Sequence, residues 1–263
     1  MSTTTLTTLS EKNLDQPDVD LKLLSEKEKQ ELIRAETASI TSDTTLGTAA
    51  APSFKPAKSY HINTKGIPVL RLPVPPKELV ITIHNVDGSV AYQSTRERRS
   101  SGDCVLTDAE GQPLISTTYF FGPGKDPILT WLNVSGDADG VIKTASRWTS
   151  RAQKFTLPDG RQLEWEYKKE KSFGCDGKKR TALVMTMGGK RLAALIRNQE
   201  TRTPGSKSCS AGNGGELVLG EDVGDRYSVG EELIIATCLL MLKKEIDRRR
   251  LVQAMVIAGA VSS

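Results

Sequence analysis

Six basic side chains flank one predicted turn in the second half of the chain, and they are the leading candidates for a binding function. They are Lys168, Lys169, Lys171, Lys178, Lys179 and Arg180. Because the turn Cys175-Asp176-Gly177 lies between the two basic runs, we expect the runs to converge at one hairpin end. A compact group of Lys and Arg suits an anionic lipid headgroup or a phosphate. Since lysine also blunts sheet edges, a solubilising hairpin is the alternative interpretation.

The search for catalytic or metal-binding residues finds little. Neither His61 nor His84 has a Cys, Asp or Glu at metal-ligand spacing, which predicts structural histidines with no metal and no cofactor. The glycines beside Lys190 and the run 212–215 depart from the phosphate-binding and dinucleotide-binding patterns. No serine or cysteine lies in a nucleophile elbow. The sequence therefore predicts a protein without catalytic activity.

Other basic and aromatic residues are less favoured candidates for a binding function than the six cations. Arg96, Arg98 and Arg99 form a second basic cluster. The block 248–250 precedes an apolar run at 251–261, where it suits either phospholipid or simply a helix C-terminus. Three tryptophans in separate strands indicate core positions rather than base stacking, which makes nucleic acid a less favoured partner. These are Trp131, Trp148 and Trp165.

One apolar segment near the end of the chain belongs at the centre of the fold. Ser228 and Glu231 have the spacing of a capping box, which predicts a helix over 229–247. From Leu233 to Leu242 every residue except Thr237 is apolar. A helix that is apolar on all sides is buried on all sides.

The residues from 58 to 220 predict the structure that surrounds this helix. Short runs rich in β-branched residues alternate with turns such as Asp87-Gly88, Asp159-Gly160 and Gly188-Gly189. This rhythm predicts a mainly β fold, a closed antiparallel β-barrel of about ten to twelve strands around the hydrophobic C-terminal helix. Closure removes the exposed edges of the sheet. The long polar segment 197–213 is predicted to be a mobile surface loop.

The chain divides into a tail and one domain. Residues 1–57 are predicted to be a disordered N-terminal tail, rich in Thr and Ser, with one short helix at 25–36. Residues 58–263 form the barrel domain. Residues 1–50 hold five Lys/Arg and nine Asp/Glu, so they carry a net charge of −4, and the rest of the chain carries +8. The four cysteines form no C-x-x-C pair and no signal peptide is evident, which predicts free thiols and a cytoplasmic location.

Two strand-turn-strand units and the terminal apolar run resemble the tubby C-terminal-like superfamily. This group includes tubby proteins, phospholipid scramblases and the plant LURP-one-related proteins. The units are 105–114 and 83–90, the terminal run is Gly230 to Lys244, and the resemblance covers residues 58–258. It implies a barrel around a hydrophobic helix, in a protein that acts at membranes or through partners. None of the family's lipid-binding positions is matched residue by residue.

These observations predict a non-enzymatic, tubby-like barrel protein that binds anionic phospholipid, such as a phosphoinositide, at a membrane surface. A protein-protein interaction scaffold is one alternative. The other is an enzyme with its site in the barrel mouth, around His84 or the segment 197–213. A buried, convergent polar cluster would favour the enzyme over the scaffold.

Overall fold

Twelve antiparallel strands close into a barrel in this computed structural model, which describes residues 24–41, 54–68, 79–98, 101–133, 140–173, 179–224 and 229–261. The strands are β1 (Pro56–Asn63), β2 (Val80–His84), β3 (Val90–Thr95), β4 (Cys104–Asp108), β5 (Pro113–Thr118), β6 (Ile128–Trp131), β7 (Val141–Ala145), β8 (Gln153–Thr156), β9 (Gln162–Glu170), β10 (Arg180–Met187), β11 (Lys190–Ile196) and β12 (Gly215–Gly220). Two helices, α1 (Glu26–Thr41) and α2 (Glu231–Val261), accompany them. Each strand pairs with the next along the chain, and β1 closes the ring against β12. The predicted closed barrel of ten to twelve strands is confirmed.

The apolar part of α2 lies inside the barrel, as its all-round hydrophobicity predicts. Every residue from Leu233 to Leu242 is buried. Thr237, the one polar residue of this run, donates from Oγ1 to the carbonyl of Leu233 at 2.8 Å and accepts from Trp165 Nε1 at 2.9 Å. Because this hydroxyl both donates and accepts a hydrogen bond, burying it costs little free energy.

The turns between the strands follow the Asp/Gly signals of the sequence. In the β4–β5 turn, the backbone N–H of Gln112 donates to Asp108 Oδ1 at 2.7 Å, and Gly111 has a φ of +84°. Glycine occupies this left-handed region without the steric cost that other residues meet. The serial hairpins therefore give neighbouring strands an antiparallel register all the way round the barrel.

The predicted end of the central helix at residue 247 is wrong, because α2 continues without a break to Val261. The charged block 243–250 does not separate a buried helix from a second apolar run. Lys243, Lys244 and Arg248 are all less than 5% exposed, inside the end of the barrel. Polar partners accompany these buried charges: Lys243 pairs with Asp247 of α2, Lys244 bonds Ser146 and Gln153, and Arg248 bonds the Ser150 carbonyl. Arg248 to Arg250 are consequently neither a surface patch nor a helix C-terminus.

The N-terminal segment contains one docked helix. Ser25 and Glu28 form the predicted capping box, with Ser25 N donating to Glu28 Oε2 at 3.0 Å and Glu28 N donating to Ser25 Oγ at 3.3 Å. The helix predicted at 25–36 is therefore present as α1, and it ends at Thr41. Leu24 and Leu32 form a small core with Phe121 and with Leu251 of α2. The tail boundary at residue 57 is too late, since β1 begins at Pro56, and residues 1–23 and 42–53 lie outside the described residues.

Candidate functional site

The two basic runs converge at one end of the β9–β10 hairpin, as predicted. Glu170 pairs with Arg180, and Lys169 with Thr181. Lys171 opens a short 3-10 turn, Lys171–Phe173, that follows β9. Four of the predicted cations are exposed, namely Lys169, Lys171, Lys179 and Arg180. Lys178 lies in the segment 174–178, outside the described residues.

The hairpin is less positively charged than its six cations suggest. Successive residues of a strand point to opposite faces, so Lys168 and Lys169 point apart, with Lys169 on the side of the core residue Trp165. Lys168 forms an ion pair with Glu166 at 2.7 Å. Four carboxylates reduce the net charge of residues 164–180 to +2. They are Glu164, Glu166, Glu170 and Asp176.

The basic hairpin end and the last turns of α2 lie at the same end of the barrel. Two contacts fix the relative direction of β9 and α2, because Trp165 bonds Thr237 and, further along both elements, the Tyr167 hydroxyl donates to Glu245. Beyond these contacts β9 leads to the exposed cations. In the same direction α2 leads to Val256 and Ile257, which are 62% and 43% exposed. Among the described residues, no helix combines the length and apolar composition that crossing a membrane requires.

A buried polar cluster fills the barrel at this same end, centred on Glu245 of α2. Its carboxylate accepts from Arg197 Nη1 at 2.8 Å, from Arg197 Nη2 at 3.0 Å, from the Gly212 N–H at 2.8 Å and from the Tyr167 hydroxyl. Burial alone would raise the pKa of Glu245, but the charge and hydrogen bonds of Arg197 outweigh it and lower the pKa to about 2. Burial and the Glu245 charge raise the pKa of Tyr167 to about 12.

The segment 197–213 takes part in this cluster, which differs from the mobile surface loop that its composition predicts. Its buried polar residues are Thr203, Ser206, Ser210 and Asn213. Thr203 Oγ1 donates to the carbonyl of Ile62 at 3.0 Å, and the backbone N–H of Gly212 donates to Glu245. Sequence reasoning missed Glu245, Arg197 and Gly212. The available signal was a carboxylate only three residues after a run that is apolar except for Thr237.

We expect Gly212→Ala to destabilise the protein by about 1–3 kcal/mol, the typical cost of overpacking. Gly212 has a φ of +69°, and a methyl group there would lie 2.4 Å from Ile246 Cγ1. The substitution also displaces a hydrogen bond to Glu245. Urea unfolding checks this, with Gly160→Ala as the control, because Gly160 has a φ of +86° but open space around it. Equal losses would mean that backbone strain, and not contact with α2, sets the cost.

A second group of buried charges flanks Glu245 on both sides along α2. Lys243 pairs with Asp247 at 2.8 Å, and Arg249 pairs with Glu36 of α1. Lys244 Nζ donates to Ser146 Oγ at 2.9 Å and to Gln153 Oε1. Burial, with the charge of Arg248, lowers the pKa of Lys244 to about 7. Positive side chains therefore outnumber the carboxylates along this buried stretch of the helix.

The two histidines lie apart from the buried polar cluster, on the outer face of the barrel. His61 and His84 are cross-strand partners on β1 and β2, on the face opposite the buried Ile62 and Ile83. His84 Nε2 lies 2.9 Å from Thr82 Oγ1, and Nδ1 lies 3.1 Å from the carbonyl of Gly88. Within the described ranges no group of three His, Cys, Asp or Glu side chains is placed to hold a metal ion. Both rings thus lie outside the barrel interior.

Among the tryptophans and the described cysteines, only Trp165 and Cys238 are buried core residues, whereas Trp131 and Trp148 are half-buried. Trp165 is fully buried, and Trp148 packs edge-on against Phe121 with ring centroids 5.8 Å apart. Burial raises the pKa of the Cys238 thiol to about 12, which makes it unreactive. Cys104, Cys209 and Cys238 are free thiols, as predicted.

An open groove of about 560 Å³ lies between the β8–β9 and β10–β11 turns. Lys154, Arg161 and Glu164 contribute its charged lining. Arg161 already pairs with Asp159 at 2.6 Å. This groove is a weaker candidate than the buried cluster, because its charged groups are not enclosed.

Comparison with known proteins gives one structural likeness. An X-ray structure of a protein from Arabidopsis thaliana is similar to this chain, with 11% sequence identity, a TM-score of 0.39, and coverage of 72% of this chain and 92% of the other. No protein-family model matches the sequence. No curated protein matches it either.

Proposed function

We propose that this chain is a non-enzymatic, tubby-like barrel protein that binds anionic phospholipid peripherally at the cytoplasmic face of a membrane. One observation carries the proposal. Exposed cations at the end of the β9–β10 hairpin and exposed apolar side chains at the end of α2 project from the same end of the barrel. An anionic, partly apolar surface would contact both. The resemblance of the sequence to the tubby-like superfamily agrees with this role.

Both contacts are needed for useful affinity. Each Lys or Arg close to an anionic membrane contributes about 1 kcal/mol, so the four exposed cations supply about 4 kcal/mol at low salt. The neighbouring carboxylates and ordinary ionic strength reduce this. Val256 and Ile257 are 62% and 43% exposed, so covering them adds about half of the ~1.5–3 kcal/mol that full burial of such a side chain contributes. Such paired electrostatic and apolar signals are typical of peripheral membrane binding.

We expect the triple variant Lys169→Glu, Lys171→Glu, Lys179→Glu to lose binding to phosphoinositide-containing vesicles at low ionic strength. Cosedimentation with the vesicles measures the loss. The matched control reverses three exposed lysines of other strands, Lys143→Glu, Lys154→Glu and Lys190→Glu. Both variants change the net charge by the same amount, so only a site-specific contact separates them. Equal loss in both would indicate a non-specific charge effect and contradict the proposal.

Two further arms of this experiment separate the alternatives. A competing oligonucleotide identifies nucleic-acid binding, because lipid binding should survive it while nucleic-acid binding would be displaced. Val256→Ser with Ile257→Ser should weaken vesicle binding without changing the salt dependence. If the wild-type protein does not sediment with vesicles at low ionic strength, the lipid proposal fails. The exposed helix end then favours a protein partner.

The buried cluster around Glu245 is the feature that would favour an enzyme in the barrel mouth. Its chemistry supports a structural role instead. A general acid or base works best with a pKa near the operating pH, whereas Glu245 has a pKa of about 2. Its hydrogen bonds from Arg197, Tyr167 and Gly212 also occupy both oxygens. A hydrolase and transferase panel in which turnover disappears on mutating this cluster would overturn that assignment.

A further inference from the structure

Arg248 has an unusual position among the buried charges of α2. It is 1% exposed, and its Nη1 donates to the carbonyl of Ser150 at 2.7 Å. Its Nε and Nη2 atoms are buried and have no hydrogen-bond partner in the described part of the chain. No ion pair to Arg248 is present there either. A buried guanidinium therefore leaves one complete edge, the Nε and Nη2 edge, without an acceptor.

An unpaired guanidinium inside a protein is costly. Arginine does not lose its proton in proteins, so neutralisation is not open to it. Burying one ion without a partner costs several kcal/mol. The carboxylates of Glu36 and Glu245, whose charges act on Arg248, and that of Asp247 on the same helix are each held by another side chain. Glu245 is held by Arg197, Asp247 by Lys243, and Glu36 by Arg249.

Lys244 adds a second positive group on the same face of α2. Residues four apart on a helix are neighbours, so Lys244 and Arg248 lie one turn apart. The hydrogen-bond partners of Lys244 are neutral, Ser146 and Gln153. Burial and the charge of Arg248 lower the pKa of Lys244, and the charge of Asp126 opposes them only in part. Neither Lys244 nor Arg248 forms an ion pair among the described residues, so two buried positive charges lie one helical turn apart without a salt bridge.

We propose that this end of the barrel binds a small oxyanion, a phosphate or a carboxylate, on the Nε and Nη2 edge of Arg248. That edge presents two parallel N–H donors, the fork that matches two oxygens of a phosphate or carboxylate. Lys244 supplies additional positive charge from the preceding turn. The site is separate from the exposed lysines of the β9–β10 hairpin, and it does not depend on membrane binding.

Two elements cover the proposed site and separate it from solvent. The segment 147–151 supplies the Ser150 carbonyl, and α1 lies over the adjacent turn through the Glu36–Arg249 pair. Arg147 of this segment also pairs with Glu31 of α1 at 3.0 Å. We therefore expect slow association, because one of these elements must move before an anion can enter.

The test measures binding of inorganic phosphate to the full chain after long incubation. Nitrogen-15 NMR of the arginine Nε–H groups is recorded during a phosphate titration, with sodium chloride at matched ionic strength as the reference. We expect one protected Nε–H to shift saturably with phosphate and not with chloride. Arg248→Lys keeps the charge but lacks the fork, so it should raise the phosphate dissociation constant at least tenfold. The exposed Arg98→Lys should leave it unchanged.

The same titration with soluble inositol trisphosphate and with acetate identifies the source of the oxyanion. A saturable shift with any one probe, weakened tenfold by Arg248→Lys, supports the site. The triple hairpin variant should keep this binding, so failure of the lipid proposal would leave it intact. No saturable shift with any probe, or equal binding by Arg248→Lys, overturns it. If Arg248→Lys does not fold, the wild-type titration alone decides between these results.

Discussion

Leu239→Asp is expected to unfold the protein at room temperature. Leu239 is 3% exposed, in the part of α2 that the barrel encloses. Truncating a buried leucine costs about 2–5 kcal/mol, and a carboxylate placed there without a partner adds its own burial penalty. The sum approaches the whole stability of a typical domain, about 5–15 kcal/mol. Circular dichroism and thermal unfolding measure the loss.

The same substitution further along the same helix is the control. Val256 is 62% exposed, so Val256→Asp should change stability by less than about 0.5 kcal/mol, as for most surface sites. Helix propensity falls more at Leu239, because leucine is a better helix former than valine, but the difference is at most about 0.7 kcal/mol and does not explain unfolding. A Leu239→Asp protein that melts at the wild-type temperature would mean that α2 does not lie in the core.

The barrel could be predicted from sequence because its signals are local. Each Asp/Gly turn fixes one hairpin, as Gly111 does between β4 and β5, and the register of each pair follows from its turn. The apolar stretch from Leu233 to Leu242 has no polar face, so burial on all sides was its one stable outcome. Both inferences use only residues that are close together in the sequence.

The buried charges could not be predicted in this way. Composition alone assigns a run such as Lys243 to Arg250 to the surface, because isolated charges are expensive to bury. Their burial depends on partners far away in sequence, such as Arg197 for Glu245 and Gln153 for Lys244. No pattern within α2 indicates those partners. The predicted helix end at 247 is wrong for the same reason.

The basic hairpin could be predicted only in part. Its convergence is a local property, and the pairing of Glu170 with Arg180 places the cations as predicted. Counting only cations overstated the charge, however, because Glu166 lies beside Lys168 on the same face of β9 and pairs with it. A period-two reading of β9, with both signs of charge included, would have found this. Binding by the hairpin stays a prediction.

The second large effect is expected at the buried cluster. Glu245→Gln should destabilise the protein by about 3–5 kcal/mol at neutral pH, because it leaves Arg197 buried without its counter-charge. Arg197 and Glu245 side chains are 12% and 8% exposed, so water screens the pair poorly. Glu166→Gln, which breaks the half-exposed pair with Lys168, is the control and should cost less than about 1 kcal/mol. If urea unfolding shows the same loss of stability for Glu245→Gln and Glu166→Gln, the buried Arg197–Glu245 pair does not stabilise the fold as proposed.

Acid pH gives an independent check on Glu245. Its pKa falls from the usual 4.5 to about 2 on folding, so the folded state favours the ionised carboxylate. This contribution is fully present above pH 4.5 and is lost as the pH falls towards 2. A difference of this size corresponds to about 3 kcal/mol. Because Gln does not titrate, the stability gap between wild type and Glu245→Gln should narrow across that window in urea unfolding. If the difference in unfolding free energy between wild type and Glu245→Gln stays constant between pH 4.5 and 2, the buried partners of Glu245 do not lower its pKa.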